Sequence, residues 1–369
     1  MGLYTAALAP LLRLLDPEAS HTLTLSTLGP LQRVPGLLAT TRRLYACDDP
    51  RLAFAWRGLA FPNPVGLAAG ADKNARVVPF FHAAGAGFVE VGTVTPLPQS
   101  GNPKPRMFRL TAERAMVNRL GFPSDGLDRV APRLKRLRWR ASPLGVNIGK
   151  NAATALDRAI EDYLTCLERL YTLADYFTIN VSSPNTLGLT SLQAKPALTA
   201  LVTALVERRK ALAANASPKP LLVKISPDLT NAELDDVADV CVTAGIDGII
   251  ATNTSIDPSL RPQRARDWQG GLSGKPLFAK SLRTVAYLRR GVSKDFFLVG
   301  AGGISSAEDA WAMLTAGANA VQVYTALVYE GLGLFGAINR GIAKRLEREG
   351  VKTLSEIVGS EATAAASAP

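Results

Sequence analysis

The sequence has few of the side chains that bind metals or form disulfides. Only His21 and His82 are histidines, and the three cysteines, Cys47, Cys166 and Cys241, stand far apart with no CxxC pair. A histidine-based metal site and a disulfide framework are therefore not expected, and we predict no bound metal. Isolated cysteines also fit a reducing compartment.

The sequence also lacks long hydrophobic runs and an excess of acidic residues. It is 47% hydrophobic, but no run reaches 18 apolar residues, so a membrane-spanning helix is not expected. Lys and Arg number 42 against 31 Asp and Glu, a net charge of +11. This balance favours an anionic partner, which is a phosphate-bearing cofactor, an acidic substrate, nucleic acid or lipid head groups.

One stretch combines a buried strand with a very polar ending. Residues 176–179 read YFTI, an apolar and β-branched composition typical of a buried strand, and residues 180–186 then read NVSSPNT. These amides and hydroxyls suit a site at the C-terminal end of a parallel strand, with Pro184 fixing the turn. An ordinary polar loop is the alternative interpretation of this stretch alone.

From residue 64 onward the chain repeats one unit, an apolar strand followed by small or polar residues and a helix. Strands are predicted at residues 65–69, 88–95, 144–148, 176–181, 221–225, 248–252, 296–300 and 320–324. Helices are predicted at residues 155–171, 191–213, 231–243, 305–316 and 332–349. This alternation predicts an α/β fold, a (β/α)8 TIM barrel, with a doubly wound sheet as the second choice.

The C-terminal ends of barrel strands form the catalytic face of this fold. In order, the predicted ends read AAGADK, EVGTVTP, VNIGK, INVSSPNT, VKISPD, ATNTS, GAGGIS and QVYTA. We expect one mouth to collect their side chains, namely Lys73, Thr93, Asn147, Asn180, Ser183, Asn185, Lys224, Thr252, Asn253, Gly303 and Tyr324. The glycines in GAGGIS and in GGLSG (residues 270–274) let backbone N–H groups approach a phosphate, so we predict a phosphate-bearing cofactor.

The first 45 residues precede the barrel and carry two short apolar helices. The first has a helical stripe at Leu3, Ala7, Leu11, Leu14 and Leu15. The second starts at the N-cap Asp16 and is expected to end at Gly29-Pro30. The pair either packs on the base of the barrel or lies on a membrane with its apolar side in lipid. Residues 40–62 look like a connector.

Two further segments interrupt the pattern. Residues 96–123 form an insertion after the second strand, and insertions on the working face of a barrel usually cover substrate. Residues 133–140, RLKRLRWR, are predicted as a basic helix. We interpret it as a solvated face, with anionic lipid and then nucleic acid as less favoured partners.

Taken together, the strand ends and GNPKPRMFRL, NRLGF and GGLSG resemble the dihydroorotate dehydrogenase family in order and spacing over residues 10 to 350. The resemblance implies an FMN barrel that oxidises (S)-dihydroorotate to orotate in de novo pyrimidine biosynthesis. Its class 2 members are membrane-associated, pass electrons to a quinone and use serine as the catalytic base. Ser183 and the N-terminal helices resemble class 2, which implies a peripheral membrane protein on the cytoplasmic face of the cell membrane.

The resemblance also implies the roles of individual residues. Ser183 is the expected base, with Thr186 and the covering loop as outlets for its proton. The expected FMN-binding residues are Ala69, Gly70, Ala71, Asp72, Lys73, Thr93, Asn147, Asn180, Lys224, Thr252, Gly274, Gly303, Tyr324 and Thr325. The expected substrate-binding residues are Lys73, Asn118, Arg119, Leu120, Gly121, Phe122, Asn180, Asn185, Asn253 and Thr254. His21, Arg109 and Tyr324 are expected to line the quinone route, although His21 reads equally well as a packed surface histidine.

The family pattern and this chain differ in small ways. The family often has serine where Thr325 stands, and residues 1–15 and 355–369 match no motif. We predict three parts: an N-terminal helical segment with a connector (1–45), an FMN-binding barrel (46–355) and a disordered tail (356–369), in a monomeric protein. A 2-hydroxy-acid oxidase on the same fold and a non-catalytic scaffold are the rival interpretations.

Overall fold

The structure is a computed structural model that describes Tyr4, residues 8–137, residues 139–362 and Ala365. Within them, strands lie at β1 (Phe54–Trp56), β2 (Leu59–Phe61), β3 (Val65–Leu67), β4 (Val89–Val94), β5 (Met107–Leu110), β6 (Ala115–Asn118), β7 (Leu144–Ile148), β8 (Tyr176–Asn180), β9 (Leu221–Ile225), β10 (Gly248–Ala251), β11 (Gly271–Gly274), β12 (Phe297–Ala301) and β13 (Ala320–Val323).

Eight of these strands close into a parallel barrel. Around it the order is β10, β12, β13, β3, β4, β7, β8 and β9, with β9 pairing back to β10. The predicted TIM barrel is therefore confirmed, and the observed strands differ from the predicted ones by a few residues at their ends. Parallel barrel strands are buried on both sides, which is why they read as continuous apolar runs in the sequence.

The helices lie at α1 (Ala9–Arg13), α2 (Pro17–Leu31), α3 (Leu37–Tyr45), α4 (Val78–Ala83), α5 (Leu127–Lys135), α6 (Ala159–Leu170), α7 (Lys195–Ala213), α8 (Asn231–Ala244), α9 (Phe278–Gly291), α10 (Ala307–Thr315), α11 (Thr325–Glu330) and α12 (Leu334–Arg348). The five helices predicted for the barrel are all present. Most begin later than predicted, and α7 follows a 3-10 turn at Leu189–Gln193.

The N-terminal end of the barrel is closed by an antiparallel hairpin, β1–β2, within the segment predicted as a connector. Its turn is Arg57-Gly58, and both residues have positive φ, as a two-residue hairpin turn requires. Trp56 stacks on Phe297 with 4.0 Å between ring centroids, and Phe61 packs edge-on against Phe88. These aromatic contacts form a plug under the barrel.

The N-terminal helices pack at the catalytic mouth, not at the base of the barrel. Asp16 caps α2 as predicted, accepting hydrogen bonds from the N–H groups of Glu18 and Ala19. The helix does not stop at Gly29-Pro30. It continues to Leu31, since a proline near a helix end removes only one intrahelical donor. Of the predicted apolar stripe, Leu3 and Ala7 lie outside the described residues.

A third helix, α3, follows within residues predicted partly as connector, and it packs against α4 and α12 of the barrel. Several leucines in and just after α1 and in α2 are exposed: Leu11 by 62%, Leu14 by 83% and Leu23 by 50%. Leu25 and Leu28 are half-buried and pack against the barrel core. No helix in the described part of the chain is long and apolar enough to cross a membrane.

The basic segment at residues 133–140 is not one helix. Helix α5 ends at Lys135, because the chain must turn back through Ser142-Pro143 to enter β7. Two of its arginines are paired, Arg133 with Asp125 and Arg140 with Asp175.

The end of the chain also differs from its prediction. Residues 356–362 were expected within a disordered tail, but Ile357 and Ala362 are buried. The backbone N–H of Gly359 donates to the carbonyl oxygen of Leu314. This segment therefore packs on the barrel.

Candidate active site

The strand ends open into two adjoining clefts on the C-terminal face of the barrel. The Ser183 cleft has a volume of about 790 Å³ and the Gly303 cleft about 660 Å³, both counted with space that is open to solvent. They form one continuous site, because both are lined by Ala69, Lys224, Asn253, Thr254, Ser273, Tyr324 and Thr325. Within the described residues, no group of three or more His, Cys, Asp or Glu side chains is placed to hold a metal ion.

Most of the predicted site residues line these clefts. In the Ser183 cleft the structure adds Gly70, Lys73, Thr93, Asn118, Leu120, Gly121, Phe122, Asn180, Ser183 and Asn185 to the shared residues. In the Gly303 cleft it adds Thr252, Gly274 and Gly303.

Four of the residues predicted to bind FMN or substrate do not line either cleft. Asp72 is buried and accepts the N–H groups of residues 76 and 77, so it holds the loop after β3. Ala71 is buried beside it, and Asn147 is fully buried behind the mouth. Arg119 donates to the carbonyl oxygen of Pro105 at 2.9 Å and faces away.

Ser183 is held in a rigid turn directly after β8. It is only 6% exposed, and its Oγ accepts a hydrogen bond from the N–H of Asn185 at 3.4 Å. A Cβ at the neighbouring Gly271 would approach Pro184 to 3.2 Å, so the turn packs closely against β11. A hydroxyl fixed in this way can meet a bound molecule without reorganising.

Lys73 supplies a cation to the same cleft. Its Nζ donates to the carbonyl oxygen of Gly70 at 2.9 Å. Burial lowers the pKa of Lys73 to about 8, against the attraction of Glu18, which raises it. The ammonium form is therefore present at neutral pH and fits an anionic group of a ligand.

Lys224 is a second cation and is more deeply buried. It lies on β9 beside Asn180 of β8, is 6% exposed and lines both clefts. Burial lowers the pKa of Lys224, and the charge of Glu90 opposes this shift. Among the described residues its Nζ makes no side-chain hydrogen bond, so it is available to a ligand.

Backbone packing around the Gly303 cleft requires glycine. Gly303 has a φ of +78°, and a Cβ there would lie 2.5 Å from the backbone nitrogen of Phe278. Arg114 and Lys275 line this cleft as well, although sequence reasoning did not select them. Glycine backbone and cationic side chains together suit a phosphate group.

The insertion after β4 forms the cover. Strands β5 and β6 make a hairpin, and β6 pairs with β11 in a three-stranded antiparallel sheet. Met107, Met116 and residues 118, 120, 121 and 122 of this insertion line the Ser183 cleft. The prediction that the insertion lies over the site is therefore confirmed, whereas its pairing with the GGLSG segment was not predicted.

The structure brings two of the three expected quinone-route residues to the N-terminal helices. The ring Nε2 of His21 lies 2.7 Å from the carbonyl oxygen of Ala71, and burial lowers the pKa of His21 to about 4. Arg109 donates to the carbonyl oxygens of Arg13 and Leu15 at the end of α1. Tyr324 lies across the site in both clefts, where burial raises its pKa to about 12.

Residues 51–346 match a protein-family model described as dihydroorotate dehydrogenase. The chain is 45% identical over 360 residues to a protein of Acidithiobacillus ferrooxidans named dihydroorotate dehydrogenase (quinone), covering 96% of this chain and 99% of that relative. A protein of the same name from Deinococcus deserti is 44% identical over 363 residues, covering 98% and 100%. The crystal structure of DHODH from Eimeria tenella in complex with ferulenol matches with a TM-score of 0.85 at 38% identity, covering 94% of this chain and 96% of that one. This chain belongs to the dihydroorotate dehydrogenase family.

Proposed function

We propose that this protein oxidises (S)-dihydroorotate to orotate in pyrimidine biosynthesis, with FMN as cofactor and a membrane quinone as the final electron acceptor. The observation that carries the proposal is that the Ser183 hydroxyl and the Lys73 ammonium face one covered cleft. Full-length similarity to proteins named dihydroorotate dehydrogenase (quinone) supports it.

The residues present fit FMN. The buried Lys224 has no hydrogen-bond acceptor of its own in the described chain, and the Gly303 cleft offers glycine backbone with Arg114 and Lys275. We assign the phosphate to the Gly303 cleft and the ring system to the shared region around Ala69, Lys224 and Tyr324. When bound, FMN supplies the two-electron acceptor that the oxidation requires.

Ser183 then has a defined task. Forming the new C=C bond of orotate releases one carbon-bound proton and one hydride. The serine oxygen takes the carbon-bound proton as its own hydroxyl proton leaves, so that hydroxyl proton needs an acceptor. Thr186 lies three residues further along the same loop, and its buried Oγ1 has no hydrogen-bond partner among the described residues. We assign Thr186 as the acceptor that passes this proton outward.

Lys73 and the amides hold the substrate. A carboxylate on the ligand would receive a charge-assisted hydrogen bond from Lys73, and its cyclic urea would meet amide side chains. Asn118 and Asn185 are already aligned with each other, since Asn185 Nδ2 lies 3.2 Å from Asn118 Oδ1. Asn180, Asn253 and Thr254 complete this surface.

The N-terminal helices are assigned to quinone access and membrane contact. Their exposed leucines would bury into lipid, as in a peripheral protein on the cytoplasmic face of the cell membrane. His21 and Arg109 lie where these helices meet the mouth. The protein is proposed to act as a monomer.

A single experiment tests the central proposal. The purified protein should be yellow from bound flavin, and anaerobic dihydroorotate should bleach the flavin absorbance in a stopped-flow spectrometer. A 2-hydroxy acid such as lactate is the control substrate and should leave the absorbance unchanged. Bleaching by lactate alone would replace the proposal with the rival oxidase.

A further inference from the structure

A carboxylate lies at the centre of the barrel, beneath the site. Glu90 of β4 is fully buried. Its Oε1 accepts a hydrogen bond from Asn147 Nδ2 at 2.9 Å. Its Oε2 accepts from Thr178 Oγ1 at 2.9 Å, from Gln322 Nε2 at 3.0 Å and from Tyr176 at 3.3 Å. Barrel interiors are usually filled by branched apolar side chains, so a buried layer of polar side chains needs an explanation.

The carboxylate determines which way the Asn147 amide faces. The NH2 groups of Asn147 and Gln322 can only donate, so the carboxyl oxygens that they meet act as acceptors, and the NH2 group of Asn147 faces Glu90. The carbonyl oxygen of the same amide therefore faces the mouth. There it accepts from Thr93 Oγ1 at 2.6 Å and from Asn180 Nδ2 at 3.0 Å.

The orientation of the Asn147 amide also fixes the donor and acceptor directions of Asn180 and Ser182. Because the NH2 group of Asn180 is turned towards Asn147, its Oδ1 faces Ser182, whose Oγ lies 3.2 Å away. Ser182 Oγ in turn accepts from Asn253 Nδ2 at 2.9 Å. The chain of bonds thus crosses from β4 to the loop after β10.

Three members of this chain reach the ligand surface. Thr93, Asn180 and Asn253 line the Ser183 cleft, whereas Glu90 and Asn147 lie buried behind it. Linked hydrogen bonds reinforce one another in a buried site, so reversing the first amide would disturb the rest.

We propose that Glu90 is a positioning residue of the active site, which fixes the donor and acceptor directions of Thr93, Asn180 and Asn253 through Asn147. It does not touch the reacting atoms. The inference rests on the proposed function, because orotate is the probe for the oriented surface.

The test compares Glu90→Gln with Thr178→Val in the flavin-loaded enzyme. Glutamine brings an NH2 group into a pocket of donors, so either Asn147 reverses or one buried donor loses its partner. Thr178→Val also removes a hydrogen bond to the carboxylate, but on the oxygen that does not face Asn147. We expect E90Q to weaken orotate binding by about 10–100-fold and T178V to stay close to wild type.

A double variant separates orientation from general loss of packing. Orotate affinity is measured by titrating the flavin absorbance change in E90Q, in Asn147→Leu and in both together. If Glu90 acts through Asn147, the double variant should bind orotate no more weakly than the weaker single variant. Both substitutions then interrupt the same series of hydrogen bonds, so the second adds no further loss. Losses that multiply, or E90Q binding like wild type, would overturn the inference.

Two outcomes need separate interpretation. If E90Q does not fold, the orotate affinities of N147L and T178V are compared instead. Equal losses of affinity in these two variants would contradict the proposed direction. If wild type neither binds orotate nor is bleached by dihydroorotate, the proposed function itself fails. If wild type binds orotate and all variants bind it equally well, the role of Glu90 is wrong but the proposed function stands.

Discussion

Glu18 and Arg106 form a two-pronged ion pair that ties helix α2 to the cover of the active site. Arg106 Nη2 lies 2.7 Å from one carboxylate oxygen of Glu18 and Nε lies 3.0 Å from the other. Arg106 also donates to the carbonyl oxygen of Asn102, whose Nδ2 donates to the carbonyl oxygen of Asn185. Helix α2 and the Ser183 turn are thus joined through one continuous series of contacts.

Breaking this pair should impair both half-reactions. The hydrogen bond from Arg106 lowers the pKa of Glu18, so the pair is intact at neutral pH and is lost as pH falls through that lowered value. We expect Glu18→Gln to lower quinone turnover and to raise the KM for dihydroorotate by roughly 3–30-fold, since a partly buried charged pair is lost. Steady-state kinetics at pH 7.5 measures both. The control is Glu113→Gln, which lies on the same insertion and loses its exposed pair with Arg264. It should change neither quantity.

Replacing Ser183 should stop proton removal without emptying the site. Ser183→Ala should retain FMN yet slow flavin reduction by dihydroorotate about 10²–10⁴-fold, the usual scale for loss of a general base. Wild-type reduction should accelerate with pH, because the serine proton is lost more readily. Stopped-flow bleaching measures the rate, with Ser191→Ala further along the chain as the control. Equal bleaching rates in S183A and wild type would remove Ser183 from the mechanism.

Lys73 should bind the substrate only in its charged form. Since the pKa of Lys73 is lowered to about 8, orotate affinity in wild type should fall as pH rises through that value. Lys73→Met should bind orotate weakly at every pH and lose this dependence, while keeping its flavin. Flavin difference spectra between pH 6.5 and 9 measure the affinity. Lys195→Met, which removes an exposed ion pair with Asp236 and Asp239, should keep the wild-type profile.

His82 should make the fold sensitive to acid. Burial lowers its pKa to about 4, and its Nδ1 lies 2.7 Å from Ser142 Oγ. The unfolded chain therefore binds a proton that the folded chain excludes, so stability is lost as pH falls from 6.5 towards 4. At pH 5 the loss attributable to His82 should be about 2 kcal/mol. Urea unfolding at pH 7.5 and 5 tests this, and parallel profiles for wild type and His82→Gln would contradict it.

Removing α1 and α2 should separate the two half-reactions. The cut belongs before Gly36, because α3 packs on the barrel and must stay. This shortened protein should still be bleached by dihydroorotate and reduce a soluble dye, with the higher KM for dihydroorotate that the loss of Glu18 causes. It should lose turnover with a long-tailed quinone and stop co-sedimenting with anionic liposomes. The lost lipid affinity comes from apolar burial, about 25 cal/mol per Å².

A full-length control distinguishes anchoring from quinone access. The double substitution Leu11→Glu and Leu14→Glu places charges on two exposed leucines of the N-terminal segment. It leaves the contacts of α2 with the barrel, Glu18 with Arg106 and His21 with Ala71, in place. This variant should lose liposome binding and keep turnover with a short-chain quinone. Undiminished long-tailed quinone turnover in the shortened protein would mean that the helices serve only packing.

The barrel and the main site residues were predictable because their signals are local. Each barrel strand is a largely apolar run, and polar residues at or just after its end must lie at the mouth once the barrel closes. This rule places Ser183, Lys73 and Lys224 at the mouth, since the first two follow their strands and Lys224 is the next-to-last residue of β9.

Features that depend on distant pairing were not predictable. The β6–β11 pairing joins Asn118 to Gly271, and nothing in GGLSG by itself indicates a strand. Glu90 was read as part of a strand end, although a carboxylate within an apolar strand was a usable signal for a buried polar layer. Helix α5 was extended too far because helix propensity does not reveal where the chain must turn back.

The aromatic plug under the barrel separates the buried Glu90 carboxylate from the exposed ion pairs of the surface. Dissolved ions can reach the rim, where they screen exposed pairs within about 10 Å at 0.1 M salt. They do not reach the Glu90 carboxylate, which is fully buried between the mouth and this plug. Exposed pairs such as Arg264 with Glu113 should therefore weaken in concentrated salt, whereas the alignment of the amides around Glu90 should be the same in dilute and concentrated buffer.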